Sequence, residues 1–430
     1  MVSWGKWIAG GLLVLGLPLS VGAADSLETL RYAVSGGTPN LDVRLRYEDV
    51  EQGDKLPAPA APLEEADATT LRTRLGYTTG KWNGLDVMVE LEDIHALGSE
   101  DYNSCPAGVS PLFSDACNGK TTHSVIADPT GTELNQVWLR YVGIPNTVLK
   151  YGRQRLVLDN ARFIGNVGWR QNEMTYDGFN VVNTSLPKLT VNYSHLTNAN
   201  NIFAGNFELA GDLLNLAWAP SEKLNLVGYY YLLDFENDLV GPQALRPDNK
   251  TYGLRATGAM PFAPAKFVYA AEVARQGQYK DAADTVDADY YLLEGGVVYQ
   301  PFTVKLGYEV LGSNGDGTYG FQTPLATLHA FQGWADLFLK TPNSGIKNPY
   351  LSLAAVVEKF SFLAVYHDFK ADEGGNHFGD EIDLSVSRPI NDNLSLMLKY
   401  ADFSVDENDA SAANPLRDTK KIWLQTEYKF

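Results

Sequence analysis

The chain has 430 residues, is 45% hydrophobic and 11% aromatic, and carries a formal net charge of −18 at pH 7. After the first 24 residues there is no long apolar stretch, which excludes a membrane protein built from transmembrane helices. The length alone suggests two or three soluble domains, but no Ser/Gly linker or composition shift divides the chain.

The N-terminal segment has the layout of a secretory signal peptide. Residues 1–24 contain one cation, Lys6, then an apolar run over 8–19 and small residues at the end. About 12 apolar residues are too few to span hydrocarbon as a helix. We predict a signal peptide over 1–24, followed by a short periplasmic segment over 25–37.

Apolar and polar side chains then alternate in many short segments. In residues 41–48 every odd-numbered residue is apolar and every even-numbered residue is charged, so a strand there has one apolar and one charged face. The same alternation recurs at 71–77, 85–92, 304–310, 381–386 and 394–400. Segments of about ten such residues are typical of an all-β, antiparallel transmembrane barrel.

The connections between these segments differ systematically in length. Short turns with Pro, Gly or Asn occur at 143–146, 185–187, 219–222 and 389–392. Long polar loops occupy 51–67, 96–131, 157–174, 234–249, 313–346 and 405–418. Short periplasmic turns and long extracellular loops are expected of an outer-membrane barrel, so we predict one barrel domain over 38–430.

Strand parity fixes the expected number of strands. Nineteen candidates can be marked, but a bacterial barrel has an even number. Phe331–Lys340 has irregular spacing, and assigning it to a loop makes every later connection fit. We therefore predict about 18 strands, with 16 as the fallback. Residues 422–430 resemble the terminal strand that the barrel assembly machinery recognises, with Tyr428 and Phe430 as its signal.

Charged side chains at or near inward-facing positions form the predicted pore lining. Rows of guanidinium groups favour anions, and facing carboxylates would create a transverse field. Alternatively, these charges neutralise one another in a rigid wall. Arg153 and Arg155 follow lipid-facing residues, and a bulge at Gly152 would turn them inward. The predicted lining comprises Arg44, Arg46, Arg72, Arg74, Arg140, Arg153, Arg155, Arg162, Arg170, Asp42, Glu48, Glu90 and Glu92.

Two stretches resemble the alginate export family of outer-membrane porins. Their runs are Gly152-Arg153-Gln154, Arg162-Phe163-Ile164-Gly165, Trp169-Arg170-Gln171, Tyr176-Asp177-Gly178-Phe179, Phe331-Gln332-Gly333-Trp334-Ala335-Asp336 and Thr341-Pro342. The resemblance extends over roughly residues 38–430. It implies an 18-stranded barrel with an arginine-rich pore for polyuronate or other acidic solutes. It also implies that Arg153, Arg162 and Arg170 are pore residues.

Other reactive residue types give little sign of chemistry. Cys105 and Cys117 lie in one loop, and in an oxidising periplasm we expect them to form a disulfide. Six scattered histidines include His195 and His367, whose sequence neighbours Ser194 and Asp368 would point to the opposite face of a strand. We predict no catalytic residues, no metal site and no cofactor.

The sequence thus predicts a channel in the outer membrane of a Gram-negative bacterium. It would contact outer-membrane lipid and lipopolysaccharide and pass small anionic solutes or oligouronates, with no nucleic-acid partner. A loop-plugged structural or adhesion barrel and a barrel enzyme are the alternatives. Loop 313–346 is long enough either to constrict the pore or to plug it.

Overall fold

The structure is a computed structural model that describes residues 23–53, 62–98, 100–106, 116–235, 247–406 and 416–430. The predicted signal peptide lies almost wholly outside the described residues, as do parts of four of the predicted long loops. Within the described ranges, no helix has the length and apolarity that crossing a membrane requires.

One helix precedes a long series of strands. Helix α1 is Ala23–Ser35, and a short 3-10 helix occupies Leu328–Ala330. The strands are β1 Thr38–Gln52, β2 Ala66–Thr78, β3 Leu85–Ala96, β4 Gly131–Tyr141, β5 Thr147–Gln154, β6 Thr175–Asn183, β7 Leu189–Asn200, β8 Asn206–Ser221, β9 Leu224–Phe235, β10 Asn249–Phe262, β11 Ala265–Gln278, β12 Asp287–Tyr299, β13 Phe302–Leu311, β14 Ile346–Val357, β15 Phe360–Lys370, β16 His377–Pro389, β17 Leu394–Val405 and β18 Thr419–Lys429.

These strands close into one antiparallel barrel. Each strand pairs with its sequence neighbours, and β18 pairs with β1. The backbone groups of Leu41 and Phe430 exchange hydrogen bonds of 2.9 and 3.0 Å at the seam. The barrel has 18 strands, which confirms the predicted fold. Phe331–Lys340 forms no strand, so the parity argument that assigned it to a loop is also confirmed.

The alternation in sequence separates the two faces of the wall. On β1, Leu45 and Tyr47 are exposed on the outside, whereas Arg46 and Glu48 are buried on the inside. Exposed apolar side chains such as Leu75, Leu306 and Leu424 continue this outer surface around the barrel. The outer face is therefore an apolar belt, as hydrocarbon requires, and the charges are turned into the lumen.

The two rims of the barrel differ in their connections. At one rim, here called the turn end, short turns such as 142–146 and 184–188 join the strands, and helix α1 and the C-terminus lie there. At the other rim, the loop end, the connections include 97–130, 155–174 and 312–345. The predicted short and long connections thus fall on opposite rims.

Candidate functional site

Two connections from the loop end fold back into the lumen and meet there. We call residues 155–174 the first arm and residues 312–345 the second arm. The Gly165 N–H donates to the Leu325 carbonyl at 2.8 Å, and the Thr327 N–H donates to the Ala161 carbonyl at 3.0 Å. The arms therefore support each other and narrow the lumen from two sides.

Two wall arginines of β1 hold the first arm by its backbone. Arg44 Nη1 donates to the carbonyls of Gly168, Trp169 and Arg170 at 3.2, 3.1 and 3.2 Å. Arg46 Nη2 donates to the Trp169 carbonyl at 2.6 Å, and its guanidinium lies 4.1 Å from the Trp169 ring centroid. The two side chains act as a clamp on this turn of the arm rather than as free charges.

The neighbouring wall arginine, Arg72, is paired with wall carboxylates. Its Nη2 lies 2.6 Å from Asp42 Oδ1 and 3.2 Å from Glu427 Oε1. Glu427 also accepts from Arg44 Nη2 at 2.8 Å. Arg72 is buried, so much of the predicted arginine row is neutralised inside the wall.

Arg74 links the wall to the end of the first arm. It pairs closely with Glu92 on β3 and donates to the Gln171 carbonyl at 3.2 Å. The carboxylate of Glu173 lies 3.6 Å from Nη1. Arg74 and Glu92 are buried on the inner face, where sequence parity puts them, whereas Glu173 lies on the arm and was missed.

Arg170, at the tip of the first arm, joins three elements. Its guanidinium contacts Glu48 on β1 at 2.8 Å and Asp336 of the second arm at 3.0 Å. Asp128, at the base of loop 97–130, lies 3.7 Å away. Lys421 on β18 also contacts Asp336, at 3.1 Å. This buried network joins both arms to the wall.

Arg162 fixes the first arm against the opposite wall. It donates to Glu309 on β13 at 2.7 Å, and to Thr323 and Gln332 of the second arm at 3.1 and 3.0 Å. Tyr290 on β12 donates to the same Glu309 carboxylate at 2.8 Å. Arg162 is thus a buried joint between the arms, and Glu309 is its unpredicted partner.

An aromatic box encloses a lysine where the second arm meets β17. Lys399 Nζ lies 3.5 Å from the Trp334 ring centroid and 4.1 Å from that of Trp169, distances at which cation–π attraction is strong. It also lies 2.6 Å from His329 Nε2, while His329 Nδ1 is 2.7 Å from Asp336. The neutral ring thus donates from Nδ1 and accepts at Nε2.

Two carboxylates of β16 hold the backbone of the second arm. Glu381 accepts from the Ala335 N–H at 2.7 Å, and Asp383 accepts from the Trp334 N–H at 3.2 Å. Gly333 has a φ of +79°, and a Cβ there would collide with Glu381. The Gly-Trp-Ala turn is therefore shaped to fit these acids, which the sequence did not reveal as partners.

This arrangement makes the second arm sensitive to acid. Burial, together with the nearby Lys399 ammonium, holds the pKa of His329 well below its usual 6.5 although Asp336 opposes the shift. Burial alone would raise the pKa of Asp336, but His329, Lys421 and Arg170 hold it well below 3.8. Because both pKa values are depressed, each group stabilises the bound state of the second arm at higher pH. This stability is lost on acidification.

Relative to its released state, we expect the bound state of the second arm to lose about 1.4 kcal/mol of stability for each pH unit below 6.5. The reason is that only a released His329 readily takes up a proton. The pKa of Asp336 is too low for it to contribute above about pH 4. Current noise recorded from pH 7 to 5 should therefore rise in the native channel and stay flat in a His329→Gln variant. An equal rise in both would assign the acid response to other groups.

Beneath the first arm lies a pocket of about 410 Å³. Its most exposed arginine, Arg155, contacts Glu90 at 2.7 Å and Glu173 at 2.5 Å. The volume suits a small-molecule site. The remaining lining residues are Asn40, Leu41, Asp42, Arg44, Arg74, Asn166, Gly168, Lys429 and Phe430.

Arg153 and Arg155 face in different directions, which corrects the prediction that both line the pore. Arg153 lies opposite Val137, an outward-facing residue, and pairs with Asp177 at 2.9 Å. Gly152 has a φ of +120°, but the register of β4 and β5 runs through it without a bulge. Arg153 therefore stays on the outer face, while Arg155, beyond the end of β5, turns into the lumen.

Of the remaining predicted residues, Arg140 contacts Asp86 in the lumen at 2.5 Å, and Cys105 and Cys117 form a disulfide. Ser194 is buried on the inside and His195 pairs with Asp212 on the outside, as their neighbouring positions predicted.

One His/Asp cluster lies at the loop-end rim. The possible ligand atoms of Asp368, His377 and Asp380 lie within 4.8 Å of one another, the only such group in the described ranges. His377 already contacts Asp368 and Asp406, and Lys370 contacts Asp368. The cluster is therefore a hydrogen-bonded rim contact in this structure.

Comparison with solved structures identifies the fold. The chain is similar to OccAB2 of Acinetobacter baumannii, with 15% identity, 93% of this chain and 99% of that chain covered, and a TM-score of 0.68. It is similar to OccK9 (OpdG) of Pseudomonas aeruginosa, with 14% identity, coverages of 93% and 99%, and a TM-score of 0.68. It is also similar to OccD3 (OpdP) of Pseudomonas aeruginosa, with 14% identity, coverages of 93% of this chain and 92% of that chain, and a TM-score of 0.64.

These neighbours are 18-stranded outer-membrane porins rather than alginate export porins. The family resemblance seen in the sequence is thus confirmed only at the level of the 18-stranded barrel fold. No protein-family model and no curated protein matches the chain. At such low identity the likeness establishes the fold, and solute and direction have to be argued from this chain's own residues.

Proposed function

We propose that the protein is an outer-membrane channel of a Gram-negative bacterium that passes small polar solutes with a preference for anions. The 18-stranded barrel supports this, because barrels of that size enclose an aqueous channel unless loops fill it. In this proposal the turn end faces the periplasm and the loop end faces the exterior. The two arms restrict passage to small solutes.

The anion preference rests on three ion pairs of the lumen in which an exposed cation lies against a more buried carboxylate. In these three pairs the cation is the more accessible partner, whereas in the Arg72–Asp42 and Arg44–Glu427 pairs the carboxylate is. The side chain of Arg155 is 34% exposed against 2% for Glu90. For Arg140 and Asp86 the values are 33% and 2%. For Lys429 and Glu427 they are 59% and 14%. At these three pairs a solute meets guanidinium and ammonium groups, with the partner carboxylates less exposed.

Carboxylate-bearing solutes fit this surface best. A guanidinium presents a planar fork that matches a carboxylate, and Arg155 lies in a pocket of small-molecule size. Uronates and short oligouronates belong to this class, consistent with the resemblance to alginate export porins. The fold neighbours are porins, which are not enzymes, and we propose no catalytic role.

Replacing Arg155 by Gln is expected to lower the anion preference, because it removes the exposed cation and leaves Glu90 and Glu173 less well paired. The measurement is the reversal potential of single channels in a planar bilayer under a salt gradient. Current block by oligouronate should weaken in the same variant.

Arg153→Gln is the matched control, since that arginine lies two residues away but on the outer face. It should leave the reversal potential unchanged. An identical shift in both variants, or none in either, would refute the proposed role of the pocket. A refolded barrel that passes no current at all would favour the loop-plugged structural barrel.

A further inference from the structure

Helix α1 packs against the outside of the barrel, not inside its mouth. The Tyr77 hydroxyl donates to the Val34 carbonyl at 2.5 Å and accepts from the Gly37 N–H at 2.9 Å. Trp82 Nε1 donates to Thr29 Oγ1 at 3.2 Å. Tyr77 lies directly across from Val89, whose side chain is exposed on the apolar outer belt. The helix is therefore docked at the turn-end edge of that belt.

The helix leaves an apolar stripe uncovered. Leu27, Leu30 and Val34 are exposed, by 67%, 38% and 52%, and their spacing of three and four residues places them on one helix face. Ala33, on the adjoining face, is buried, and its carbonyl accepts from the Gly80 N–H at 2.8 Å. One face thus holds the barrel, while the apolar side chains of the neighbouring stripe stay exposed.

From this geometry we infer that α1 is an in-plane membrane helix whose apolar stripe inserts into the phospholipid leaflet at the turn end of the barrel. The stripe continues the lipid-facing belt, because the tyrosine that fixes the helix belongs to that belt. Tyr77 and Trp82 are the residue types that sit at membrane interfaces. A helix with one apolar face lies at the boundary between headgroups and acyl chains.

The charges of the helix specify how it binds lipid. Its sequence carries Asp25, Glu28 and a single cation, Arg31, so it has no cluster of basic residues to attract anionic headgroups. Insertion therefore depends on the apolar stripe, and neither the anionic lipid content nor the salt concentration changes it.

The test uses the full-length barrel refolded in phosphatidylethanolamine–phosphatidylglycerol vesicles. The chain's two cysteines form a disulfide, so Leu30→Cys and, as control, Glu28→Cys each introduce one free thiol for a bimane label. The label at position 30 should be quenched several-fold more by lipids brominated near the headgroup than by aqueous iodide. The label at position 28 should show the reverse order, and neither ratio should change with salt.

Equal quenching of both positions by iodide would overturn the inference. So would protection of position 30 that appears only at high protein-to-lipid ratio, because a second copy of the chain would then cover the stripe. Conductance of the same labelled channels is recorded in parallel. A failure of the lipid contact is thereby distinguished from a failure of the proposed channel function.

Discussion

Replacing Arg170 by Gln is expected to destabilise the folded barrel by about 3–5 kcal/mol, the usual cost of removing one partner from a buried ion-pair network. Glu48 and Asp336 would lose their guanidinium contacts at 2.8 and 3.0 Å, and Asp128 its neighbour at 3.7 Å. These carboxylates are themselves buried. The shift is measured as the urea midpoint of unfolding from phospholipid vesicles.

The matched control is Arg275→Gln. Arg275 also contacts two carboxylates, Asp287 at 2.6 Å and Asp289 at 3.2 Å, but its side chain is 47% exposed. Exposed pairs contribute about 0–1 kcal/mol, so this variant should unfold almost like the native protein. If both variants shift by similar amounts, burial of the Arg170 network is not what gives it its effect.

The strands could be predicted because their cause is local. A wall with lipid on one side and water on the other requires apolar and polar residues to alternate. Four consecutive residues of β1 already show this, since Leu45 and Tyr47 are exposed on the outside while Arg46 and Glu48 are buried on the inside. Parity then excluded Phe331–Lys340, whose apolar side chains pack inside the lumen at irregular spacing instead of facing lipid. Helix α1 was missed, since a single short amphipathic segment gives no repeating signal.

The burial and the partners of the lumen arginines could not be predicted, because both depend on distant parts of the chain. Arg44, Arg46 and Arg74 are buried on the inner face, where sequence parity puts them. Their burial comes from carbonyls of the first arm, such as that of Trp169, which lies 123 residues beyond Arg46. The same holds for Glu309, 147 residues beyond Arg162. The interpretation in which the charges neutralise one another describes the buried row better than a ring of free cations.

The backbone at Gly152 and the register shift at Gly178 bear on which way Arg153 and Arg155 face. A bulge at Gly152 was a sound hypothesis, and that residue has a φ of +120° that favours glycine. The register shift instead falls one strand away, between Asp177 and Gly178. Pairing across strands therefore decided which of Arg153 and Arg155 faces the lumen, and a single sequence does not contain that pairing.

Removing the clamp with the double change Arg44→Ala and Arg46→Ala is expected to raise single-channel conductance and current noise. The variant loses four donations to the carbonyls of residues 168–170. If that loss costs the clamped arm about 3 kcal/mol net, since hydrogen bonds to charged groups contribute about 1.5–3 kcal/mol each, released states become on the order of 100-fold more populated. Recordings at fixed salt, on barrels whose gel mobility still shows folding, measure the change.

The charge-conserving double change Arg44→Lys and Arg46→Lys separates clamping from pore charge. Arg44 contacts the arm carbonyls through Nη1 while its Nε and Nη2 hold Glu427. An ammonium lacks this planar fork and cannot bind both sides in the same way, so this variant should also conduct more, while keeping its anion preference. If the arginines instead acted as free pore cations, the Lys variant would behave like the native channel and the Ala variant would lose selectivity without gaining conductance. That result would contradict the clamp, because it would show that hydrogen bonds from Arg44 and Arg46 to the carbonyls do not hold the first arm in place.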